Sequence, residues 1–193
     1  MPVSVSVDIE GIRQVTDRVA GLATRLANLQ PAFQIIADLL EAQVARQFAT
    51  EGAWAGVPWR PLAPSTVQAR LRHTGSYRAG GQQLAAGATG PILTWTGRLR
   101  LSFAQGSPDH VREISDDGLR WGSRVPYAGY HQSTLPRRKL PRRPIVAFRD
   151  ANQQREIAFQ PLRLWLQGVP EGAIRSVMSA RLGLGALGAT LTV

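Results

Sequence analysis

Between Ile12 and Phe48 the apolar residues recur every three or four positions, and a proline divides the run in two. Ile12, Val15, Val19, Leu22, Leu26 and Leu29 alternate spacings of three and four, which places them on one stripe of a helix. Pro31 cannot continue that helix, because it has no N–H and its ring clashes with the preceding turn. It is tolerated in the first turn of the next one. Beyond it Phe33, Ile36, Leu40, Val44 and Phe48 form a second stripe, widened by Ile35 and Leu39. Two amphipathic helices on so short a link are expected to pack on each other or to cover one sheet. Both stripes read as core. The first is so strictly three-four spaced that part of it also suits a subunit interface.

What surrounds these helices is shorter and richer in turns. Val3, Val5 and Val7 alternate with polar residues, the period of a half-buried strand. From Thr50 to Pro64, glycines and prolines interleave with Trp54 and Trp59, which predicts an ordered loop whose indoles need something to pack on. Ser65 reads as the N-cap of a helix over Thr66–Arg72. His73 to Gly90 holds five glycines and reads as a flexible loop.

Ile92 to Phe148 reads as the stretch the chain is organised around. Ile92, Leu93 and Trp95 suggest a short buried strand, and Thr96-Gly97 turns into a helical piece with Leu99, Leu101 and Phe103. Val111–Ile114 and Leu119–Gly122 flank Asp116-Asp117-Gly118, a hairpin signal. A turn or one helical turn is expected after Pro126, an edge strand over Pro144–Phe148, and a last helix capped by Asp150 with Pro161 inside it. The tail from Val169 is expected to pack only on a neighbour or to stay mobile. The fold class that follows is α+β: two N-terminal amphipathic helices and a C-terminal helix packed on a small, mainly antiparallel sheet. The expected domain is 1–167, with a flexible loop at about 73–90 and a C-terminal extension at 168–193.

Charge is unevenly distributed. Residues 1–59 carry four basic and six acidic side chains, residues 60–193 nineteen and seven, and Lys139 is the only lysine. Arginine suits bidentate contacts to phosphate or carboxylate, so the second part suggests a polyanion or an acidic partner surface. An arginine-rich genome would produce the same balance. There is no cysteine, which excludes disulfides and thiolate metal sites. The amino terminus lacks the features of a signal peptide. The longest charge-free run, 79–97, is too polar to span a membrane. A soluble protein made in the cytoplasm is expected.

Catalytic spacing is not found. Gly183, Gly185 and Gly188 satisfy a dinucleotide-binding pattern but lack the strand, helix and second strand that it needs. His73, His110 and His131 lie in separate segments without i, i+4 partners, so a zinc site is not expected. Asp116 and Asp117 belong to turn chemistry. His131 has no orienting acid nearby in sequence, and a hydrogen bond to the backbone of its corner fits it better than the role of a base. Residues 137–143 place five cations in seven positions, on a loop. Without interleaved aromatics, that run suits phosphate or acidic-partner contact better than base stacking.

The order of motifs resembles a family. Phe48, Gly52, Gly56-Val57-Pro58-Trp59-Arg60-Pro61-Leu62 and Thr66 come first, then Ile92-Leu93 and Thr96-Gly97-Arg98-Leu99. Tyr127-Ala128 with His131-Gln132, and Arg143-Pro144 before a closing helix, complete the set. Together they resemble the phage virion morphogenesis family, the tail-completion proteins of Mu-like and related tailed phages, over roughly residues 1–167. Ser133 and Thr134 depart from the family pattern, which commonly has glycine after His-Gln, and so does the glycine-rich segment 73–90. The resemblance implies an α+β structural subunit of the virion neck, without cofactor, metal or catalytic residues. It further implies a homo-oligomeric, hexameric ring against connector, terminator or tail-tube neighbours. On that reading Trp54, Trp59, Tyr127, Tyr130 and His131 are interface candidates. Arg137, Arg138, Lys139, Arg142 and Arg143 are candidates for contact with packaged DNA or an acidic partner. A nucleic-acid-binding protein using the basic loop 137–143 is the alternative, and an enzyme depending on His131 a distant third.

Overall fold

One helix, Gln30–Ala49 (α2), has both of its long faces covered, and the other elements are arranged along it. The computed structural model describes residues 9–72, 78–79, 82–83, 90–135 and 141–184. On one face of α2, Val44 and Phe48 join Trp59, Ile92, Leu99, Phe103, Val125 and Ile145 in a buried cluster. On the other, Ile35 and Leu39 join Ile157, Ile174, Met178, Leu182 and Leu184. Each fully buried aliphatic side chain contributes roughly 1.5–3 kcal/mol through removal from water, so α2, which feeds both clusters, is strongly stabilising. It is this helix, more than the stretch from Ile92 to Phe148, that organises the fold.

Before α2 lies α1, Ile9–Ala27, and after it a short 3-10 turn, Ala53–Ala55. The helix α3, Pro64–Arg72, opens on its proline, and the Ala63 carbonyl accepts from Thr66 N and Val67 N. Ser65 is thus inside the helix and is not its cap. Two-residue strands β1 (Arg78–Ala79) and β2 (Gln82–Gln83) pair antiparallel. They and Gly90 are the described part of the expected loop at 73–90; the expected strand at Val3–Val7 lies outside the described residues.

The helical piece after Gly97 is α4, Arg98–Leu101. The hairpin forms as its turn chemistry predicts. Strand β3, His110–Ile114, pairs with β4, Leu119–Ser123, with Ile114 opposite Leu119 and Arg112 opposite Trp121. Arg112 reaches α2, meeting Asp38 at 2.8 Å and Glu41 at 2.6 Å. Asp38 also pairs with Arg175, and burial raises the pKa of Glu41 against the lowering effect of Arg112.

Two expected strands are absent. Residues 91–97 form turns, with Leu93 at φ +60°: Ile92 N donates to Glu51 Oε1 at 2.7 Å, and the Pro91 carbonyl accepts from Arg70 and Thr94. Residues 144–148 also find side-chain partners in place of a neighbouring strand. Gln132 Oε1 accepts from Ile145 N and Val146 N, and its Nε2 donates to Val146 O. Gln43 Nε2 donates to Ala147 O at 2.7 Å, while Gln47 Nε2 and Trp59 Nε1 both donate to Pro144 O.

The turn after Pro126 is α5, Ala128–Gln132. Asp150 caps α6, Ala151–Leu166, by accepting from Gln153 N, and Gln153 Oε1 accepts in return from Arg149 N, a reciprocal box at the helix start. Beyond Gly168 the chain forms α7, Glu171–Leu182, which buries Ile174 and Met178 against α2 and α6. This part of the tail therefore belongs to the core of its own subunit. The architecture is α+β, with helices at both ends and the hairpin against α2.

Candidate functional site

Two surfaces stand apart from this packing. The first is α1. A helix of its length spans about 28 Å, and it is held to the body near its C-terminal end. There Trp165 Nε1 donates to Asn28 O at 3.0 Å and the Arg25 guanidinium lies against Gly168. Ile12, Val15, Val19, Leu22 and Leu26 are between 46% and 61% exposed. The expectation that this stripe is core fails: among the described residues nothing covers it. The reading of the same stripe as an interface is the one its exposure favours.

The second surface is an open cleft of about 870 Å³ between the loop that follows Trp59, the turns at 91–97 and α5. It is shaped by the residues that carried the resemblance. Gly52 adopts φ +90°, and a Cβ there would lie 2.2 Å from the Val57 carbonyl, so only glycine permits this turn. The turn delivers Trp59 to the core, edge-on to Phe48 with ring centroids 5.3 Å apart. Arg143 then holds the next residues: its Nε and Nη2 donate to Arg60 O, and Nη2 also donates to Pro61 O at 3.1 Å. Across the cleft Arg70 Nη1 donates to Gly90 O and Pro91 O, with its guanidinium 5.2 Å from the Trp95 ring centroid.

Three guanidinium groups thus converge where Leu62, Leu93 and Leu99 supply apolar wall. Burial lowers the pKa of Arg143, and the like charges of Arg70 and Arg60 lower it further; Glu51 acts in the opposite sense. A site of this kind favours an anion that brings some apolar surface with it.

The sequence candidates divide between core and surface. Trp59 is buried, so it is a scaffold residue and not a surface for a partner. Trp54 is half-buried, donates to Gln43 Oε1 and lies between the Arg46 and Arg149 guanidiniums. His131 is buried at the cleft, whereas Tyr127 and Tyr130 are exposed. Arg142 is exposed, but Arg143 is only 5% exposed and bonded to carbonyls, which sets it apart from Arg142 in the expected basic loop. Arg137, Arg138 and Lys139 lie outside the described residues. Arg60, Arg70 and Trp95 are not among the site residues that the sequence suggests, although Arg60 lies in the family motif and Trp95 in the expected strand. The signal that points to their part of the chain, though not to these residues within it, is the complete lack of acidic residues in the stretch that contains them.

Among the described residues there is no cluster of His, Asp or Glu able to hold a metal, and no helix is long and apolar enough to cross a membrane. Residues 10–166 match the phage virion morphogenesis family. No curated protein and no solved structure matches the chain.

Proposed function

The chain belongs to the phage virion morphogenesis family, and from that premise we propose that it is a structural protein of the virion neck. In this reading it completes the tail and joins it to the head connector, as one subunit of a hexameric ring. The observation that carries the reading is the α1 stripe. Five large aliphatic side chains lie in one row on a helix that its own chain leaves uncovered among the described residues, and contiguous exposed apolar surface of this kind marks a protein–protein contact. The family positions fit the same reading, because they build the core and the cleft.

The test is the mass of the purified chain across a concentration series, with imaging of any assemblies, for wild type and a Val15→Asp, Val19→Asp double variant. Rings from wild type and monomers from the folded variant are expected. A wild-type chain that stays monomeric at every concentration, with neck proteins present, and that is missing from finished particles, overturns the proposal.

A further inference from the structure

We infer that the cleft beside Trp95 is a receptor for an acidic, partly apolar segment of a partner protein, whose carboxylates meet Arg60, Arg70 and Arg143. This goes beyond the assembly reading and does not depend on it, since none of the cleft residues lies on α1.

The first ground is charge. No Asp or Glu occurs from Gly52 to Pro108 or from Gly118 to Arg149, while these two stretches hold six and eight cationic side chains. Every residue lining the cleft comes from one of them. The nearby carboxylate of Glu51 has Oε1 engaged by Ile92 N. A positive field beside apolar wall is less screened than one in open water, so a carboxylate entering the cleft meets more attraction there than on the flat basic surface.

The second ground is preorganisation. Arg143 and Arg70 are almost fully buried and fixed by backbone carbonyls on opposite sides of the cleft. Guanidiniums that are already ordered lose little freedom on meeting a carboxylate. Arg60 and Tyr127 stand exposed at the rim, and arginine, tryptophan and tyrosine around a pocket are the residue types that dominate binding energy at protein interfaces.

The third ground separates protein from nucleic acid. Duplex DNA presents its phosphates on a convex polar ridge, which does not enter a concave cleft, whereas an extended acidic side chain reaches the edges of Arg70 and Arg143 that line it. The Trp95 face that would stack a base is already beside Arg70. Leu62, Leu93 and Leu99 have nothing to gain from a sugar–phosphate chain, whereas a peptide alternating acidic and aliphatic side chains satisfies wall and cations together.

The experiment is fluorescence anisotropy on the intact chain, with a dye-labelled pool of short peptides built from Glu, Leu and Gly, and a matched pool in which Gln replaces Glu. The Glu pool is expected to bind about tenfold tighter than the Gln pool, with affinity falling as salt is raised. Arg60→Glu reverses an exposed side chain and leaves the carbonyl that Arg143 uses, and it is expected to weaken binding by about tenfold. Arg155→Glu, on α6 away from the cleft, makes the same change in net charge and is expected to shift affinity by less than about twofold. Absence of binding by the Glu pool overturns the inference. So do equal losses in the two variants, or a short DNA duplex that binds more tightly than the peptides and depends on Arg60. Any of these outcomes leaves the oligomeric state of the chain unchanged, so failure here is distinct from failure of the ring.

Discussion

Helices α1 and α2 follow one another with two residues between them, and both carry apolar side chains at spacings of three and four. Yet Ile35 and Leu39 in α2 are 0% exposed, while Val15 and Val19 in α1 are at least 60% exposed. The difference lies in what each helix carries beside its stripe. In α2 the apolar residues occupy two faces, and even the polar positions between them, Gln43 and Gln47, are fully buried. Outside the seam of α1 stand Glu10, Arg13, Asp17, Arg18 and Arg25. Periodicity shows which side of a helix wants to leave water. The breadth of the apolar surface shows whether the same chain has enough structure to cover it.

The largest expected effect falls on α2. Leu39→Ala leaves a cavity between α2, α6 and α7 and is expected to lower unfolding free energy by about 3 kcal/mol, read by urea denaturation. A loss below about 1 kcal/mol would mean that the two faces of α2 are not the shared core described here. Next comes the polar side of the same helix. Gln43 bridges Ala147 O and Trp54 Nε1, so Gln43→Leu removes a donor and an acceptor from half-buried partners. It is expected to cost about 2 kcal/mol. A neutral outcome would show that the Ala147 carbonyl and the Trp54 indole do not depend on Gln43 for their hydrogen bonds.

The bond from Gln43 to Ala147, distant in the chain, also marks the limit of what local signals carry. The hairpin, the α5 turn and the Asp150 cap were legible because their signals are local: a turn sequence, a proline, a capping residue three positions before its donor. The segments at 92–95 and 144–148 look like strands in composition, but a strand needs a neighbouring backbone. Here the neighbours are side chains of Glu51, Gln132, Gln43 and Gln47, up to 104 positions away in sequence. The cleft was half legible. Its basic character showed in the charge balance, but the cations that form it are Arg60, Arg70 and Arg143, and only the last was among the candidates. No local pattern distinguishes an arginine that caps carbonyls in a wall from one that waves in solvent. The α1 stripe is fully visible in the sequence, where it reads as core and in part as an interface. Only the core reading fails among the described residues, because a three-four repeat looks the same whether its cover is the same chain or another.

The smallest effect separates the two helices most sharply, because its sign is at issue. Val19→Ala in α1 removes two methyl groups that the monomer leaves mostly in water, so little burial is lost. Alanine is the better helix former, by about 0.5 kcal/mol. The substitution is therefore expected to leave a dilute, monomeric chain unchanged or slightly more stable, while weakening any assembly that uses the stripe. Denaturation at low concentration, paired with mass measurement at high concentration, reads both halves. A monomer destabilised by more than about 1 kcal/mol would place Val19 under cover from its own chain, and the contrast between α1 and α2 would disappear. A neutral monomer with intact assembly would keep the contrast but move the subunit contact elsewhere. Only the combination of an unperturbed monomer and a weakened assembly identifies the exposed stripe as surface held for a neighbouring subunit.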